Sequence, residues 1–199
     1  DPVRFIGNYS SGKMGFALAE ACAERGAEGT LVAGPVSLKT HHPAIKRIDV
    51  ESAGEMYQAA MTAFPSSDAA ILCAAVADYR PENASEQKIK RETEREMTLH
   101  LVPNPDIAAS LGAIKREGQV MVGFALETND EATHAEGKLK RKNLDFIVLN
   151  SLRDQGAGFR CDTNKITIID NAGGVTSYPL KTKREVACDI VNKLVTLLK

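Results

Sequence analysis

The residues near the start of the chain that are best suited to chemistry form a glycine-rich loop, GNYSSGKMG, from Gly7 to Gly15. From Gly7 it matches the G-x-x-x-x-G-K part of a P-loop, but Met14 stands where that motif needs a magnesium-binding Ser or Thr. From Ser10 it matches a dinucleotide fingerprint without its first glycine. Glycines let the backbone approach a ligand and helix N-termini attract anions, so the loop predicts a phosphate site. The alternative is an ordinary glycine-rich turn.

Three further segments carry groups that suit a nucleotide ligand. CAAVADY, from Cys73 to Tyr79, ends a predicted strand in small side chains, which leave room for a ligand. Its Asp78 is suited to accept hydrogen bonds from a sugar hydroxyl or to help hold a metal; the alternative is an aspartate that caps a helix or a turn. NPDI, from Asn104 to Ile107, predicts a helix start whose N–H groups suit the same anion; a well-capped helix is the alternative. KLKRK places Lys138 and Lys142 on one helical face, where a solvated basic surface is the alternative.

The elements that must position these groups alternate along the chain. Five helices are predicted, from Phe16 to Gly26, from Ser52 to about Phe64 behind an S-x-x-E capping box, over 105–118 and 129–143, and from Lys183. Strands are predicted at TLVAGP, AIKRIDV, DAAILCAAVADY, VMVGFALE and DFIVLN. Strands that alternate with helices predict an α/β fold, a Rossmann-like, doubly wound, mainly parallel sheet flanked by helices.

Two regions interrupt this alternation. The stretch from Arg80 to Arg95 has almost no large apolar residues, which predicts a mobile flap or an extended arm; it is called the flap below. MTLHLV (Met97 to Val102) then alternates like a half-exposed strand. Near the end, KITIID and VTSYPL flank the turn residues NAGG, which predicts a C-terminal β-hairpin.

Bulk composition limits the classes of function. With 199 residues, 43% of them hydrophobic, the chain is expected to form a single domain over 1–199. The 25 basic and 26 acidic residues leave a net charge of -1, which favours neither nucleic acid nor a membrane surface as partner. The cysteines form no C-x-x-C pair and the histidines show no metal spacing, so no metal ligand is assigned and a cytoplasmic location is expected.

In eight ordered blocks the chain resembles the bacterial phosphopantothenoylcysteine synthetases, which are usually the C-terminal half of a protein whose N-terminal half is an FMN-dependent decarboxylase. The blocks are DPVRFIGNYSSGKMGFALA, LVAGPV, CAAVADYRP, QKIK, NPDI, GFALET, KLKRKNLDFIVLN and GFRCDTNKI. The resemblance leads one to expect a further strand and the decarboxylase half ahead of D-P-V-R, and the sequence from Asp1 onward includes neither.

The resemblance implies a CTP-dependent ligase of coenzyme A biosynthesis. The carboxylate of 4'-phosphopantothenate attacks the α-phosphate of CTP, which gives an acyl-cytidylate and pyrophosphate. The amine of L-cysteine then displaces CMP and forms the amide. By motif, Asn8 holds the acyl-cytidylate and the charge that develops on its carbonyl, and Lys88 of QKIK closes with the flap and acts in the second step.

The resemblance also implies the remaining ligand contacts. The nucleotide contacts are Leu72, Cys73, Ala74, Asp78, Lys88, Pro105, Asp106, Ile107, Ala108, Phe124, Lys138 and Lys142. The substrate and phosphate loop takes in Asn8, Ser10, Ser11, Gly12 and Ala75. The pattern K-x-K-K-x-x-x-D-x-x-x-x-N, associated with CTP rather than ATP, is matched from Lys138 to Asn150, with Arg141 in place of one lysine. Mg²⁺ is expected with the triphosphate, without a named protein ligand.

Family members form dimers or larger assemblies, which implies a homodimer with the C-terminal hairpin as a pairing surface. Two other classes of function compete with the ligase. A nicotinamide-dependent oxidoreductase needs the full glycine fingerprint and an acidic residue about 20 residues beyond it, and Ser10 counts against it. A non-catalytic nucleotide-binding module needs the phosphate loops but neither Asn8 nor Lys88.

Overall fold

The computed structural model describes residues 1–90, 96–127, 131–151 and 161–198. The end of the predicted flap (91–95), the predicted helix start at 129–130, Thr128 of GFALET and residues 158–160 of GFRCDTNKI lie outside the described residues. The helices of the described part are α1 (Lys13–Glu24), α2 (Ala53–Ala63), α3 (Ile107–Ile114), α4 (Glu131–Arg141) and α5 (Lys183–Leu197). The strands are β1 (Gly29–Ala33), β2 (Ile45–Asp49), β3 (Ala69–Leu72), β4 (Tyr79–Pro81), β5 (Leu101–Pro103), β6 (Val120–Glu127), β7 (Phe146–Ser151), β8 (Thr163–Asn164), β9 (Ile166–Asp170), β10 (Val175–Ser177) and β11 (Lys181–Thr182).

The main sheet has five strands in the order β10-β9-β7-β6-β3. Its β3, β6 and β7 run parallel, whereas β9 and β10 are added antiparallel as the predicted C-terminal hairpin. Parallel neighbours need crossover connections, and here α3 precedes β6 while α4 joins β6 to β7. The predicted α/β class with a parallel core is confirmed.

Helices cover both faces of this sheet because the buried side chains of each strand alternate. On β6, Val120 and Val122 pack on one face with residues of α1 and α5. Met121 and Ala125 pack on the opposite face with residues of α3 and α4. Strands buried on both sides explain why VMVGFALE and DFIVLN are almost uninterrupted apolar runs.

The strands β1 and β2 form a parallel pair of their own, and no hydrogen-bonded ladder among the described strands joins it to the main sheet. Helices α1 and α2 both contact β1 and hold the pair beside the sheet. The sequence pattern predicted both strands, but it carries no information on which strands pair, since pairing depends on residues that are remote along the chain.

Local signals placed some element ends correctly and others wrongly. The predicted capping box opens α2, with Glu55 N donating to Ser52 Oγ at 3.1 Å and Ser52 N donating to Glu55 Oε2 at 3.3 Å. The strand predicted at MTLHLV is wrong in extent, because β5 begins only at Leu101, where it meets its antiparallel partner β4. Among the described helices, none combines the length and the apolarity needed to cross a bilayer.

Candidate nucleotide site

The predicted phosphate loop leads directly into α1 through Gly12. Gly12 has φ +75, a conformation that L side chains rarely adopt, and a Cβ there would lie 3.2 Å from both Val36 methyl carbons. Its N–H donates to Ser10 Oγ at 3.3 Å, and no side-chain cap closes the N-terminus of α1. A helix start that is reached through a left-handed glycine and lacks a side-chain cap is suited to an anion.

The loop lies against the segment that follows β3. A Cβ on Gly15 would lie 3.2 Å from Cys73 Sγ, so the first turn of α1 packs directly on the end of that strand. The side-chain amide of Asn8 donates to the Val76 carbonyl at 3.1 Å. The strand predicted over DAAILCAAVADY ends at Leu72, and the Val76 carbonyl is therefore outside a β-ladder and accepts from a side chain instead.

The same segment is fastened to the start of α3 by Asn104, a residue that the sequence analysis did not assign. Its side-chain amide donates to the Ala77 carbonyl at 2.8 Å, and its backbone N–H donates to the Asp78 carbonyl at 2.8 Å. The antiparallel pairing of β4 with β5 brings these stretches together. The sequence signal for this role is an asparagine directly before a Pro-Asp helix start, because an asparagine amide can bond backbone groups in non-helical segments.

The start of α3 combines a capping carboxylate with a lysine from the end of α4. Asp106 Oδ1 accepts from Ala109 N at 3.0 Å, and Lys142 Nζ lies 3.1 Å from Asp106 Oδ2. Partial burial opposes ionisation, but the Ala109 N–H and the Lys142 and Arg141 charges hold the pKa of the Asp106 carboxyl below its usual range. A helix N-terminus and an ammonium therefore meet at one point, where the Asp106 carboxylate binds the ammonium and one N–H. A phosphate at this point would bind the remaining N–H groups and share the ammonium with Asp106.

The remaining predicted contacts lie around this core of the site. Phe124 on β6 is half-buried and packs on the same hydrophobic cluster as Met14 and Cys73. Asp78, Ala74 and Pro105 are exposed, and the half-buried ones are Ser11, Leu72, Ala75, Ile107, Ala108 and Lys138. The structure thus brings together the loop, the end of β3, the start of α3 and Lys142, which the sequence analysis linked only by resemblance.

Lys88 is the predicted site residue that no described contact joins to this group. It is exposed in the flap. The neighbouring Ile89 donates its N–H to Asp1 Oδ2 at 3.2 Å and accepts at its carbonyl from Arg4 at 2.8 Å. The described part of the flap is therefore fastened at two points. Arg80 donates to the Pro103 carbonyl and to Asn104 Oδ1, just before α3, and Ile89 contacts the first residues of the chain, a few positions before Asn8.

Cys73 is a packing group rather than a nucleophile. Burial raises the pKa of its thiol to about 11. A thiol with such a pKa stays protonated at neutral pH, and only the thiolate attacks or binds metal. Within the described residues, no group of three or more His, Cys, Asp or Glu side chains is arranged to hold a metal ion.

A cavity of about 260 Å³ lies at the β1–β2 pair, beside the glycine-rich loop. It lies where β1 and β2 end and α2 begins, and it adjoins the loop because Val36, one of its walls, also contacts Gly12. The lining residues are Gly34, Pro35, Val36, Asp49, Val50, Glu51 and Glu55. The carboxyl ends of strands in α/β sheets are where ligands commonly bind.

Comparisons with known proteins identify relatives over the whole chain. The family model described as DNA/pantothenate metabolism flavoprotein C-terminal domain matches residues 1–198. A cysteine/cysteine sulfinic acid decarboxylase from an unidentified prokaryote is 58% identical, with 100% of this chain and 55% of that protein covered. The coenzyme A biosynthesis bifunctional protein CoaBC of Vibrio parahaemolyticus is 47% identical, with 100% of this chain and 49% of that protein covered.

A solved structure agrees in fold. The crystal structure of the C-terminal domain of a coenzyme A biosynthesis bifunctional protein CoaBC superposes with a TM-score of 0.82 at 36% identity, covering 99% of this chain and 88% of that one. The chain spans about half the length of the curated relatives that it matches.

Proposed function

The chain belongs to the family of DNA/pantothenate metabolism flavoprotein C-terminal domains, and we propose that it is a CTP-dependent ligase that joins 4'-phosphopantothenate to L-cysteine. One observation carries the proposal. Asn8, the end of β3, the start of α3 and Lys142 are connected by contacts that run from Asn8–Val76 to Asp106–Lys142. A side-chain amide donor and a helix start with an ammonium beside it therefore share one edge of the sheet, as a reaction between a carboxylate and a nucleoside triphosphate needs.

In the first step, a carboxylate oxygen of 4'-phosphopantothenate bonds to the α-phosphorus of CTP and pyrophosphate leaves. Lys142 and the N–H groups at the start of α3 hold the phosphates, whose negative charge would otherwise repel the carboxylate. Lys138, Phe124 and Asp78 complete the nucleotide contacts. Mg²⁺ is assigned to the phosphates and water rather than to a protein ligand set, since Mg²⁺ commonly keeps most of its waters in such sites.

In the second step, the amine of L-cysteine attacks the acyl carbon, CMP leaves, and the amine loses a proton as the amide forms. Asn8 stabilises the negative charge that develops on the carbonyl oxygen. An amide group has two N–H donors, and Val76 occupies one of them, so the other is available to a ligand. Lys88 acts in this step from the flap, which has to close towards the loop.

The test is product release. The purified protein with CTP, Mg²⁺ and 4'-phosphopantothenate should release pyrophosphate, and release of CMP should require L-cysteine. ATP in place of CTP is the control for base preference. No pyrophosphate with all substrates present would contradict the ligase.

Decarboxylation of cysteine or cysteine sulfinate is a second reaction to test, because one relative is named as a decarboxylase of these compounds. That name applies to a protein of which this chain covers 55%, whereas the nucleotide contacts proposed above are residues of this chain. We therefore expect no CO₂ from L-cysteine or cysteine sulfinate alone. CO₂ release without CTP would favour decarboxylation.

The proposed assembly is a cytoplasmic homodimer, normally fused to an FMN-dependent decarboxylase domain, with β9 and β10 as a pairing surface. The outer strand β10 is exposed at all its residues, so its edge is accessible to a second copy. Light scattering after size exclusion should give twice the chain mass. Val175→Pro removes an N–H on the outer edge of β10, since the bonds to β9 come from the alternate residues, and it should reduce the mass to that of a monomer if the hairpin is the pairing surface. An unaffected dimer would place the interface elsewhere.

A further inference from the structure

Lys142 reaches the start of α3 from an unusual direction, because its backbone lies beside the end of that helix. A Cβ on Gly112, in the second half of α3, would lie 2.2 Å from the Lys142 carbonyl oxygen and 2.9 Å from its carbonyl carbon. The Lys142 ammonium, in contrast, lies 3.1 Å from Asp106, which caps the first turn of α3. The side chain thus runs along α3 from its end towards its start.

The end of α4 is built to fix this backbone position. Asn143 N donates to Lys140 O at 3.4 Å and Leu144 N donates to Leu139 O at 3.0 Å, the paired bonds of a Schellman motif. Asn143 has φ 51, the left-handed conformation which that motif needs. Leu139 and Leu144 both belong to the core cluster on this face of the sheet, and their packing anchors the motif.

Two polar contacts then join the motif to α3. Asn143 Nδ2 donates to the Gly112 carbonyl at 3.0 Å, and Lys115 Nζ donates to the Asn143 carbonyl at 3.2 Å. Both contacts hold the end of α4 against α3, at a distance where a Cβ on Gly112 would meet the Lys142 carbonyl. Backbone atoms cannot escape such a contact by changing rotamer, so any side chain at position 112 must move the whole turn.

We propose that Gly112 is a positioning residue for Lys142: by lacking a side chain, it lets the end of α4 lie against α3 and so sets the Lys142 ammonium at the N-terminus of α3. The inference rests on the proposed function, in which the CTP phosphates bind at the N-terminus of α3. Gly112 touches no substrate itself. Gly112 affects nucleotide binding only through the position of the Lys142 ammonium. The Lys142 side chain already spans most of the short α3, so a shift of its backbone moves the ammonium away from the helix start.

The test compares Gly112→Ala with Gly137→Ala. Gly137 lies on α4, is exposed, and a Cβ there would meet nothing within 4 Å, so its replacement changes the same helix without moving the turn. The added methyl at position 112 has to push the Lys142 carbonyl away by roughly 1 Å to reach normal contact distance. We expect Gly112→Ala to raise KM for CTP about tenfold, with KM for 4'-phosphopantothenate unchanged, and Gly137→Ala to change neither.

A double-variant cycle separates positioning from general damage. In a Lys142→Gln background the ammonium is absent, so adding Gly112→Ala should raise KM for CTP no further. A second tenfold rise there would show that Gly112 acts independently of Lys142 and would overturn the inference.

A readout without catalysis keeps the inference separate from the proposed function. Lys142 and Arg141 supply the charges that face the Asp106 carboxyl. An NMR pH titration of Asp106 should therefore show its pKa rising towards the ordinary range in Gly112→Ala and in Lys142→Gln, but not in Gly137→Ala. An unchanged Asp106 titration in folded Gly112→Ala would overturn the inference. Absence of pyrophosphate release by the unaltered protein would instead contradict the ligase and leave this titration decisive.

If Gly112→Ala does not fold, Asn143→Gly replaces it. Glycine keeps the left-handed backbone and removes only the amide bond to the Gly112 carbonyl. We expect the same changes in KM for CTP and in the Asp106 pKa, at about one third of the size. Loss of one hydrogen bond loosens the end of α4, whereas a methyl group at position 112 displaces it. If Asn143→Gly folds and changes neither quantity, the inference is wrong.

Discussion

The side-chain amide of Asn8 donates to the Val76 carbonyl at 3.1 Å, across 68 positions of the chain. This bond aims the amide of the glycine-rich loop at the end of β3, where the proposed substrates meet. It also occupies only one of the two amide donors. Asn8 therefore anchors the loop, and in the proposed mechanism its second N–H is oriented before the substrate arrives.

Replacement of Asn8 tests whether this donor acts on the transition state. We expect Asn8→Ala to lower turnover about a hundredfold, the effect of deleting one donor to a developing oxyanion, while KM for CTP stays within about threefold. Steady-state kinetics with varied CTP provides the measurement. Asn171→Ala, in the exposed turn of the C-terminal hairpin, is the control and should behave like the unaltered protein. An unchanged turnover would remove Asn8 from the mechanism.

Replacement of Lys88 tests the assignment of the flap to the second step. Since Lys88 is proposed to act only when cysteine attacks, Lys88→Gln should slow CMP release by about a hundredfold and leave the pyrophosphate burst intact. Rapid quenching followed by chromatography should then reveal accumulated acyl-cytidylate. Lys90→Gln, an exposed lysine in the same flap, is the matched control. If Lys88→Gln slows both steps equally and no intermediate accumulates, Lys88 serves nucleotide binding alone.

Sequence patterns predicted what depends on neighbours along the chain. The alternation of strands and helices, the capping box at Ser52 and the turn between Asp170 and Gly174 are local, and the structure confirms each. The end of α4 was also encoded locally, since Asn143 follows a basic last turn as a left-handed residue should.

What the patterns missed depends on partners that are remote in sequence. The end of β3 at Leu72 and the start of β5 at Leu101 are decided by which ladder each strand finds. Similarly, the sequence around Lys142 does not indicate that Gly112 and Asp106 are its neighbours, because the packing of α4 on α3 brings them together. The site residues were proposed through resemblance to a family, whereas the contacts between them depend on the tertiary structure.

Asp145 belongs to the lysine-rich pattern associated with CTP, yet its contacts are those of a structural residue. Its Oδ2 accepts from Lys115 Nζ and from Met121 N, both at 2.6 Å. The Asp145 side chain is only 19% exposed and that of Lys115 only 10%. Asp145→Ala leaves an ammonium and an N–H with little access to water, so it should lower the free energy of unfolding by about 3 kcal/mol. Urea denaturation provides the measurement.

The control for Asp145 is an exposed ion pair. Glu24 and Arg184 are 2.7 Å apart, with side chains 46% and 74% exposed, so Glu24→Ala should cost less than about 1 kcal/mol. Equal losses in the two variants would contradict the structural role. A shift in preference from CTP to ATP in Asp145→Asn, at unchanged stability, would return the residue to nucleotide selection.

Asp170 makes the stability of the C-terminal hairpin depend on pH. Its Oδ2 accepts from Lys193 Nζ at 2.8 Å, and its Oδ1 accepts from Gly174 N at 2.8 Å and from Ala172 N at 3.1 Å. The bond from Lys193, followed by the one from Gly174, holds the pKa of the Asp170 carboxyl below its usual range, against a small opposing effect of burial.

A carboxyl group whose pKa is lower in the folded state stabilises the fold at any pH above its pKa in the unfolded chain. That contribution is lost as the pH falls through the lower, folded value. Asp170→Asn should therefore be less stable than the unaltered protein at pH 7, by about 1 kcal/mol for a partly exposed charge-assisted bond, and the difference should shrink below about pH 4. Lys193→Gln should show a smaller loss with the same dependence on pH. Urea denaturation between pH 2.5 and pH 7 provides the measurement, and a difference that stays constant over this range would show that the charge of Asp170 does not stabilise the hairpin.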